Sequence, residues 1–442
     1  MSLPRPNATA HHLPGWAMLV TAGFLLFAAN SAFAEPVKAT SADRFLNSLG
    51  INTHIDQGVN PTSYVEPLKY LGIRQVHDGA RHVDGSAMVA HRAGVHFTIF
   101  GTGDLDVIIY SAERLAQAKA LLAIEGPNEP NNFPITYKGE KGGGRGGSWK
   151  AVGQFQADLY AAVKNSPILK GYPVFGPSET GAQTDNIGLQ FLTVPPGVDT
   201  LFPAGTHFAD YANIHNYVIG NGDLYEDNQA WNAADPILKG RWDGLFGNHG
   251  VTWHMGFGGY DKAQLENLPR ITTETGWDSV SDPGGEHTQG VMLTNTYLAQ
   301  FKRGWSYTFI YQLRDGEGGT GNQGVFTGDT PKRAAIYIHN LTTILADDKP
   351  LEQPGSLDYT IPKRTTTVHD LLLQKSGGPF ELVVWDEKVV GSEPVRVEFA
   401  KPHARINVYD ITVGSTPIRS LTNASVVELP LSDHAVVLDV ID

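Results

Sequence analysis

Two acidic side chains in this 442-residue chain stand where an apolar, strand-like run gives way to polar residues: Glu129 in LLAIEGPNEP (121–130) and Glu274 in RITTETGW (270–277). A carboxylate pair so placed can divide the work on one bond. One carboxyl, held as the acid, protonates a departing oxygen, while the other, held ionised, attacks the carbon left behind. For the acetal bond between two sugars, retention of configuration asks for the two carboxyls about 5 Å apart across the ring. Residues 145 positions apart reach that geometry only in a fold that returns its strands to one mouth.

The order of elements supplies such a fold. Apolar or β-branched runs recur at 49–55, 73–79, 95–101, 121–130, 172–178, 211–217, 270–277 and 305–316, each ending in polar residues. Helix-compatible stretches lie between them, among them 111–122, 150–164 and 286–304. Eight strands alternating with helices predict an α/β fold, a (β/α)8 TIM barrel, whose active site lies at the C-terminal strand ends. Beyond Ala346 the helices stop. DYTIP, TVHDLLLQ, FELVVW, VRVEFA, INVYDITV and HAVVLDVI read as short strands of a small C-terminal β-sandwich. That unit could bind carbohydrate, but packing against the barrel accounts for it as well. The division expected is 1–34 leader, 35–345 barrel and 346–442 sandwich.

Residues 1–34 carry Arg5, an apolar run from Trp16 to Ala29 and a small-residue site Ala32-Phe33-Ala34. These are the parts of a cleavable secretory signal peptide, too short in its apolar run to span a bilayer. A secreted or periplasmic protein with no membrane span after cleavage is the expectation. Past residue 34 there remain 32 basic against 46 acidic side chains, a net charge of −14, which disfavours a nucleic-acid partner. With no cysteine in the chain, disulfides, thiolate metal sites and a thiol nucleophile are excluded. GxGxxG occurs at Gly142, Gly144, Gly147 and at Gly319, Gly321, Gly324, but neither copy stands between a strand and a helix.

Further candidates sit at other strand ends. Asn213, His215 and Tyr217 alternate in ANIHNY and so share one face of the sixth strand. Asn52 and His54 end the first strand, His77 and Asp78 the second, and Tyr311, Gln312 and Arg314 the eighth. Glu125 precedes Glu129 by four residues, where it could tune its acidity or lie under the rim. Trp277, after the seventh strand, is the first candidate for stacking on a sugar face, ahead of Trp149, Trp231, Trp242 and Trp253.

With Asn128-Glu129-Pro130 on strand four and Glu274 on strand seven, residues 46 to 345 resemble the retaining glycoside hydrolases of clan A, close to families 39 and 5. The resemblance implies Glu129 as acid/base, Glu274 as nucleophile, Asn128 as a partner of the sugar 2-hydroxyl, and no metal or organic cofactor. In family 5 a His-x-Tyr on strand six lines the sugar subsite; His215 and Tyr217 match it, with the tyrosine helping to keep Glu274 charged. The neighbouring charge would keep Glu129 protonated. Clan members also place an arginine near strand two, for which Arg74 and Arg81 are the candidates. The partner implied is a β-linked oligo- or polysaccharide, an exopolysaccharide or a plant-wall glycan. A non-catalytic glycan-binding barrel and a transglycosidase stand as alternatives.

Overall fold

A computed structural model describes residues 35–144, 146–178, 185–218, 223–238 and 256–442. The leader expected over 1–34, together with Trp242 and Trp253, lies outside them.

Each of the eight runs contributes a strand: β1 Leu49–Asn52, β2 Gln75–Gly79, β3 His96–Gly101, β4 Leu121–Pro127, β5 Val174–Phe175, β6 Ala212–Asn213, β7 Arg270–Thr275 and β8 Thr308–Ile310. They pair in parallel in the order β6-β7-β8-β1-β2-β3-β4-β5. A parallel bridge from Phe175 to Tyr211 joins the two ends, where the Gly176 N–H donates to the Tyr211 carbonyl at 2.9 Å. The barrel is thus nearly closed, and thinnest between β5 and β6. Inside, ring packing is close enough to dictate residue type: a Cβ on Gly50 would stand 2.2 Å from the Phe309 ring.

Outside the strands lie α1 Val65–Leu71, α2 Val83–Ala93, α3 Leu105–Gln117, α4 Lys150–Asn165, α5 Lys262–Asn267, α6 Glu286–Lys302 and α7 Arg333–Ile344. The helix expected over 111–122 begins six residues earlier, because the Asp104 carboxylate accepts the Val107 N–H and caps it there. It buries Ile108, Ser111, Ala112 and Leu115, a stripe with helical spacing. The end expected at 122 is taken by β4, which starts at Leu121. Among the described residues between β5 and β6 no helix forms. Helix α6 is buried without a break from Gln289 to Gln300; it has the second unit on one side and the barrel on the other, so no face is left for solvent.

That second unit comprises β9 Val368–Gln374, β10 Phe380–Asp386, β11 Glu393–Asp410, β12 Arg419–Leu431 and β13 Ala435–Ile441, with short strands at Ser356–Leu357 and Tyr359–Thr360. The two packed sheets expected of a sandwich are replaced by one continuous seven-stranded sheet, made of β9 to β13 with Tyr359–Thr360 and Thr40–Ser41 and curled over Leu372, Leu382, Val384, Val397, Val427 and Leu438; Ser356–Leu357 stays outside it. VRVEFA and INVYDITV explain the difference. They belong to a single strand, β11, whose register against β12 shifts between Glu398 and His403. Such an irregularity bends a strand, and Pro402 inside it has no N–H to lose. The same strand therefore serves both sides of the curl. Ahead of the barrel, Val37–Lys38 pairs with Ser356–Leu357 and Thr40–Ser41 with β9, so part of the stretch assigned to the barrel unit belongs to this sheet.

The two units share a polar seam. Asn295 on α6 donates to the carbonyls of Asp386 and Asp433 at 3.3 and 3.0 Å. Trp231 stacks on His369 with centroids 4.3 Å apart and lies 4.0 Å from the Arg303 guanidinium. It is a fixture of the seam and not a sugar platform. The large apolar side chains the second unit exposes are Val390, Val413 and Ile418, none of them aromatic.

Candidate active site

The C-terminal ends of the strands enclose an open cavity of about 740 Å³, lined by residues from β1, β2, β3, β4, β6, β7 and β8 and the loops that follow them. Its floor is a chain of hydrogen bonds through the barrel interior. Asn213 Nδ2 donates to Thr273 Oγ1 at 2.9 Å, and the Thr273 hydroxyl donates to Glu125 Oε1 at 3.2 Å. Glu125 Oε2 accepts from His77 Nε2 at 2.9 Å, and His77 Nδ1 accepts from Asn52 Nδ2 at 2.9 Å. Five strands are tied together in this way, and Glu125, fully buried, lies beneath the rim. Asn52 Oδ1 is buried without a protein partner, a site for a water or a ligand hydroxyl.

Above this floor stand the two carboxylates. Glu129, Glu274 and His215 each present one atom within 4.8 Å of the others. His215 Nδ1 is 2.8 Å from Glu129 Oε1 and 3.4 Å from Glu274 Oε2, so one ring nitrogen faces both acids. Its other nitrogen lies 3.1 Å from Thr273 Oγ1. The threonine hydroxyl has two acceptors for its own proton at 3.2 Å, Glu125 Oε1 and Asn213 Oδ1; with the proton on either, that oxygen is free to accept, and an imidazolium has both its N–H groups satisfied. The adjoining carboxylates outweigh burial and push His215 up to about 9.

Burial raises the Glu274 carboxyl and the nearby Glu129 charge adds to the rise, while the His215 charge and the Tyr217 hydroxyl oppose them. Tyr217 donates to Glu274 Oε2 at 3.0 Å. The tyrosine expected to keep Glu274 charged is therefore in place, yet it is a small influence beside burial, and the cation that offsets burial is His215. Among the described residues no arginine does so. Arg74 pairs with Asp43 at 2.5 Å ahead of β2, at the opposite end of the barrel, and Arg81 offers Asp56 only its backbone N–H.

Glu129 sits in a turn of its own making, with φ +40°, a left-handed conformation uncommon for such a residue. Its carbonyl accepts the N–H groups of Asn132 and Phe133 at 2.8 and 2.7 Å, and its Oε2 accepts from Asn132 Nδ2 at 2.9 Å. Asn128 lines the cavity beside it.

The other expected contacts divide. His54 and Tyr311 line the cavity, their side chains joined at 3.2 Å. Gly318 presses on this pair at φ +62°, where a Cβ would lie 2.1 Å from the tyrosine hydroxyl. Asp78 also lines the cavity, but its oxygens are occupied: Oδ2 accepts from Thr53 Oγ1 and Ile55 N at 2.6 and 2.8 Å, Oδ1 from Asp56 N and Gly79 N at 3.0 and 2.7 Å. Four bonds fill a carboxylate's acceptor sites, so Asp78 shapes the 53–57 turn. Trp277 is misplaced by the sequence argument. It is 4% exposed, gives its indole N–H to the Pro283 carbonyl at 3.1 Å, and packs in the main core away from the cavity lining. Trp149 is buried at the start of α4.

Sequence reasoning missed the loop residues of the lining: Thr53 and Gln57 after β1, Phe133 after β4, Thr320 and Gln323 after β8, and Phe100 at the end of β3. Their position just past the strand ends was the available signal. The Glu129, His215 and Glu274 cluster is, among the described residues, the one group whose atoms could also ligate a metal ion. A proton on His215 Nδ1 and a metal would compete for the same space.

No protein-family model matches the chain, and no curated protein matches it in sequence. Solved structures do match its fold. A family 39 glycoside hydrolase from Bacteroides cellulosilyticus WH2 superposes with a TM-score of 0.56 at 14% identity, over 91% of this chain and 83% of that one. The family 51 arabinofuranosidase of Xanthomonas axonopodis pv. citri gives 0.54 at 14%, over 92% and 98%. The family 30 subfamily 8 xylanase of Clostridium acetobutylicum gives 0.53 at 11%, also over 92% and 98%. Such coverage spans the barrel and the second unit together, and the fold is thereby that of several clan A glycoside hydrolases.

Proposed function

We propose that the protein is a retaining glycoside hydrolase that cleaves β-linked glycans by double displacement, with Glu274 as nucleophile and Glu129 as acid/base. One observation carries the reading: the two carboxylates offer oxygens within 4.8 Å of each other across the cavity. Oxygens that near each other suit direct attack on the anomeric carbon and leave little room for an intervening water, for which the carboxyl groups stand roughly 6.5–9.5 Å apart.

Two carboxylates this close disfavour a second negative charge, so they hold a proton between them. Tyr217 and the His215 cation draw the remaining charge to Glu274. Glu274 then attacks the anomeric carbon as Glu129 gives its proton to the departing oxygen, breaking the glycosidic C–O bond and forming a glycosyl ester. Glu129, now a carboxylate, takes a proton from water; the hydroxyl adds to the anomeric carbon, and the ester bond breaks to restore Glu274. Burying three ionisable groups together costs several kcal/mol, a cost that glycan binding without chemistry would give no reason to bear. The arabinofuranosidase and the xylanase of like fold support a glycosidic bond as target and differ in the sugar. The leader features of 1–34 support export to the periplasm or beyond.

A 2-deoxy-2-fluoro glycosyl fluoride panel tests the assignment. Its members form the glycosyl ester quickly and hydrolyse it slowly, so peptide mapping should find the adduct on Glu274. In E129A, azide should restore turnover and yield a glycosyl azide of retained configuration. An adduct on another residue, or a product of inverted configuration, refutes the mechanism.

A further inference from the structure

Phe133 is an anomaly in the cavity wall. Its neighbours in the lining are polar or well buried, whereas this ring is 63% exposed. An apolar ring left open to water inside a polar cavity loses hydration free energy that a ligand could recover. Its backbone is also anchored on the candidate acid. The Phe133 N–H donates to the Glu129 carbonyl at 2.7 Å, and Asn132, one residue earlier, holds both that carbonyl and Glu129 Oε2. Below the turn, Gly144 N–H bonds the Pro130 carbonyl at 2.8 Å, tying it to the Ile135–Tyr137 and Glu140–Gly142 hairpin. The ring thus rides on the same rigid turn as the proton donor, at a set distance from it.

We propose that Phe133 is the platform of a leaving-group subsite, which takes a neutral pyranosyl unit by stacking against its C–H face. This rests on the glycosidase reading, because the acid marks the leaving-group side: the oxygen that Glu129 protonates belongs to the departing sugar. A ring held beside that acid meets the departing unit and not the one that becomes attached to Glu274. The described part of the wall favours a neutral unit. Among the described lining residues there is no Lys or Arg, while Asp56, Asp78, Glu129 and Glu274 are all present, so a uronate or sulfated unit would find no partner cation among them.

The test compares two substrates of one sugar: the shortest oligosaccharide of a β-linked xylo-, gluco- and manno-series that the wild type cleaves, and the matching β-glycosyl fluoride, whose leaving group needs no platform. In F133A, kcat/KM on the oligosaccharide should fall about 10-fold further than on the fluoride, chiefly through KM, and F133W should restore it. Equal losses on both substrates, or none on either, overturn the subsite. Calorimetric titration of wild type and F133A with the hexasaccharides separates this from the parent reading. If neither substrate turns over but F133A binds a hexasaccharide about 10-fold more weakly, the platform stands without the reaction; equal affinity, or no binding in either, removes the platform.

Discussion

Replacing His215 with asparagine tests the electrostatics at the centre of the site. The imidazolium lies 2.8 Å from one carboxylate oxygen and 3.4 Å from the other, and their charges raise it from 6.5 to about 9 despite complete burial. That net rise corresponds to about 3 kcal/mol. Interaction between titrating groups is reciprocal, and burial works against the net rise, so losing the cation should make the first ionisation of the carboxylate pair harder by roughly two pH units or more. The sign is set by which form is active. His215 is charged below about pH 9 and loses its hold on Glu274 as pH rises through that value, which gives the wild type an alkaline limb near pH 9. H215N should lose that limb and carry its acid limb about two units higher, with kcat/KM about 100-fold lower at pH values below the wild-type acid limb and the gap closing as pH rises to the displaced limb. Profiles of kcat/KM against pH on a glycosyl fluoride measure both limbs. A uniform loss with both limbs unmoved would mean that His215 only props up the cavity wall, and the electrostatic account would be wrong.

Two further outcomes follow. Exhaustive chelation should leave glycosyl fluoride hydrolysis unchanged, because a proton on His215 occupies the place a metal would take; activity lost to chelation and regained with a divalent ion would make Glu129, His215 and Glu274 ligands instead. At the seam between the units, Asp433 accepts from His287 and His434 at 2.9 and 3.1 Å, and His434 also reaches Asp410 at 3.1 Å. Burial opposes but does not overcome these partners, so Asp433 is lowered to about 2 and His434 raised to about 9. The Asp433 contribution is present above the ordinary carboxylate range and lost as pH falls through about 2; that of His434 is complete below about 6.5 and lost as pH rises through about 9. D433N should lower stability at pH 6 by about 2 kcal/mol and flatten the acid side of a plot of melting temperature against pH, and an unchanged acid-side slope would refute the linkage.

Much of the barrel was legible because its strands carry two signals at once. LLAIEGPNEP is apolar where helices cover it and polar where it meets the mouth, and the same grammar recurs in RITTETGW and ANIHNY. What failed lacked a local signal. Trp277 follows Glu274 by three residues, but the chain turns away past Gly276 and the indole enters the core; nearness in sequence does not survive a change of backbone direction. Phe133 lay in a loop, where no periodicity says which way a ring points. The curl of the second unit depended on a register shift inside β11, and strands read one by one cannot reveal that two of them are continuous. The pairing of 37–41 with strands more than 300 residues later is likewise a long-range event that short runs do not encode.

The residues beneath the site argue that its geometry is built in and does not await substrate. Asn213, Thr273, Glu125, His77 and Asn52 form one hydrogen-bonded chain across β6, β7, β4, β2 and β1. A buried chain of this kind is stable only when its members are satisfied together. Thr273 holds the key position: its hydroxyl takes the His215 proton on one side and gives its own to Glu125 or Asn213 on the other. Thr273→Val would keep the shape and remove both bonds, leaving His215 Nε2 and Glu125 Oε1 without a partner. The imidazolium would lose one of its two acceptors, and the alkaline limb should move below pH 9, in the direction opposite to the acid-limb shift expected of H215N. A valine variant whose alkaline limb stayed in place would show that the floor supports the barrel alone and does not govern the charge that His215 carries.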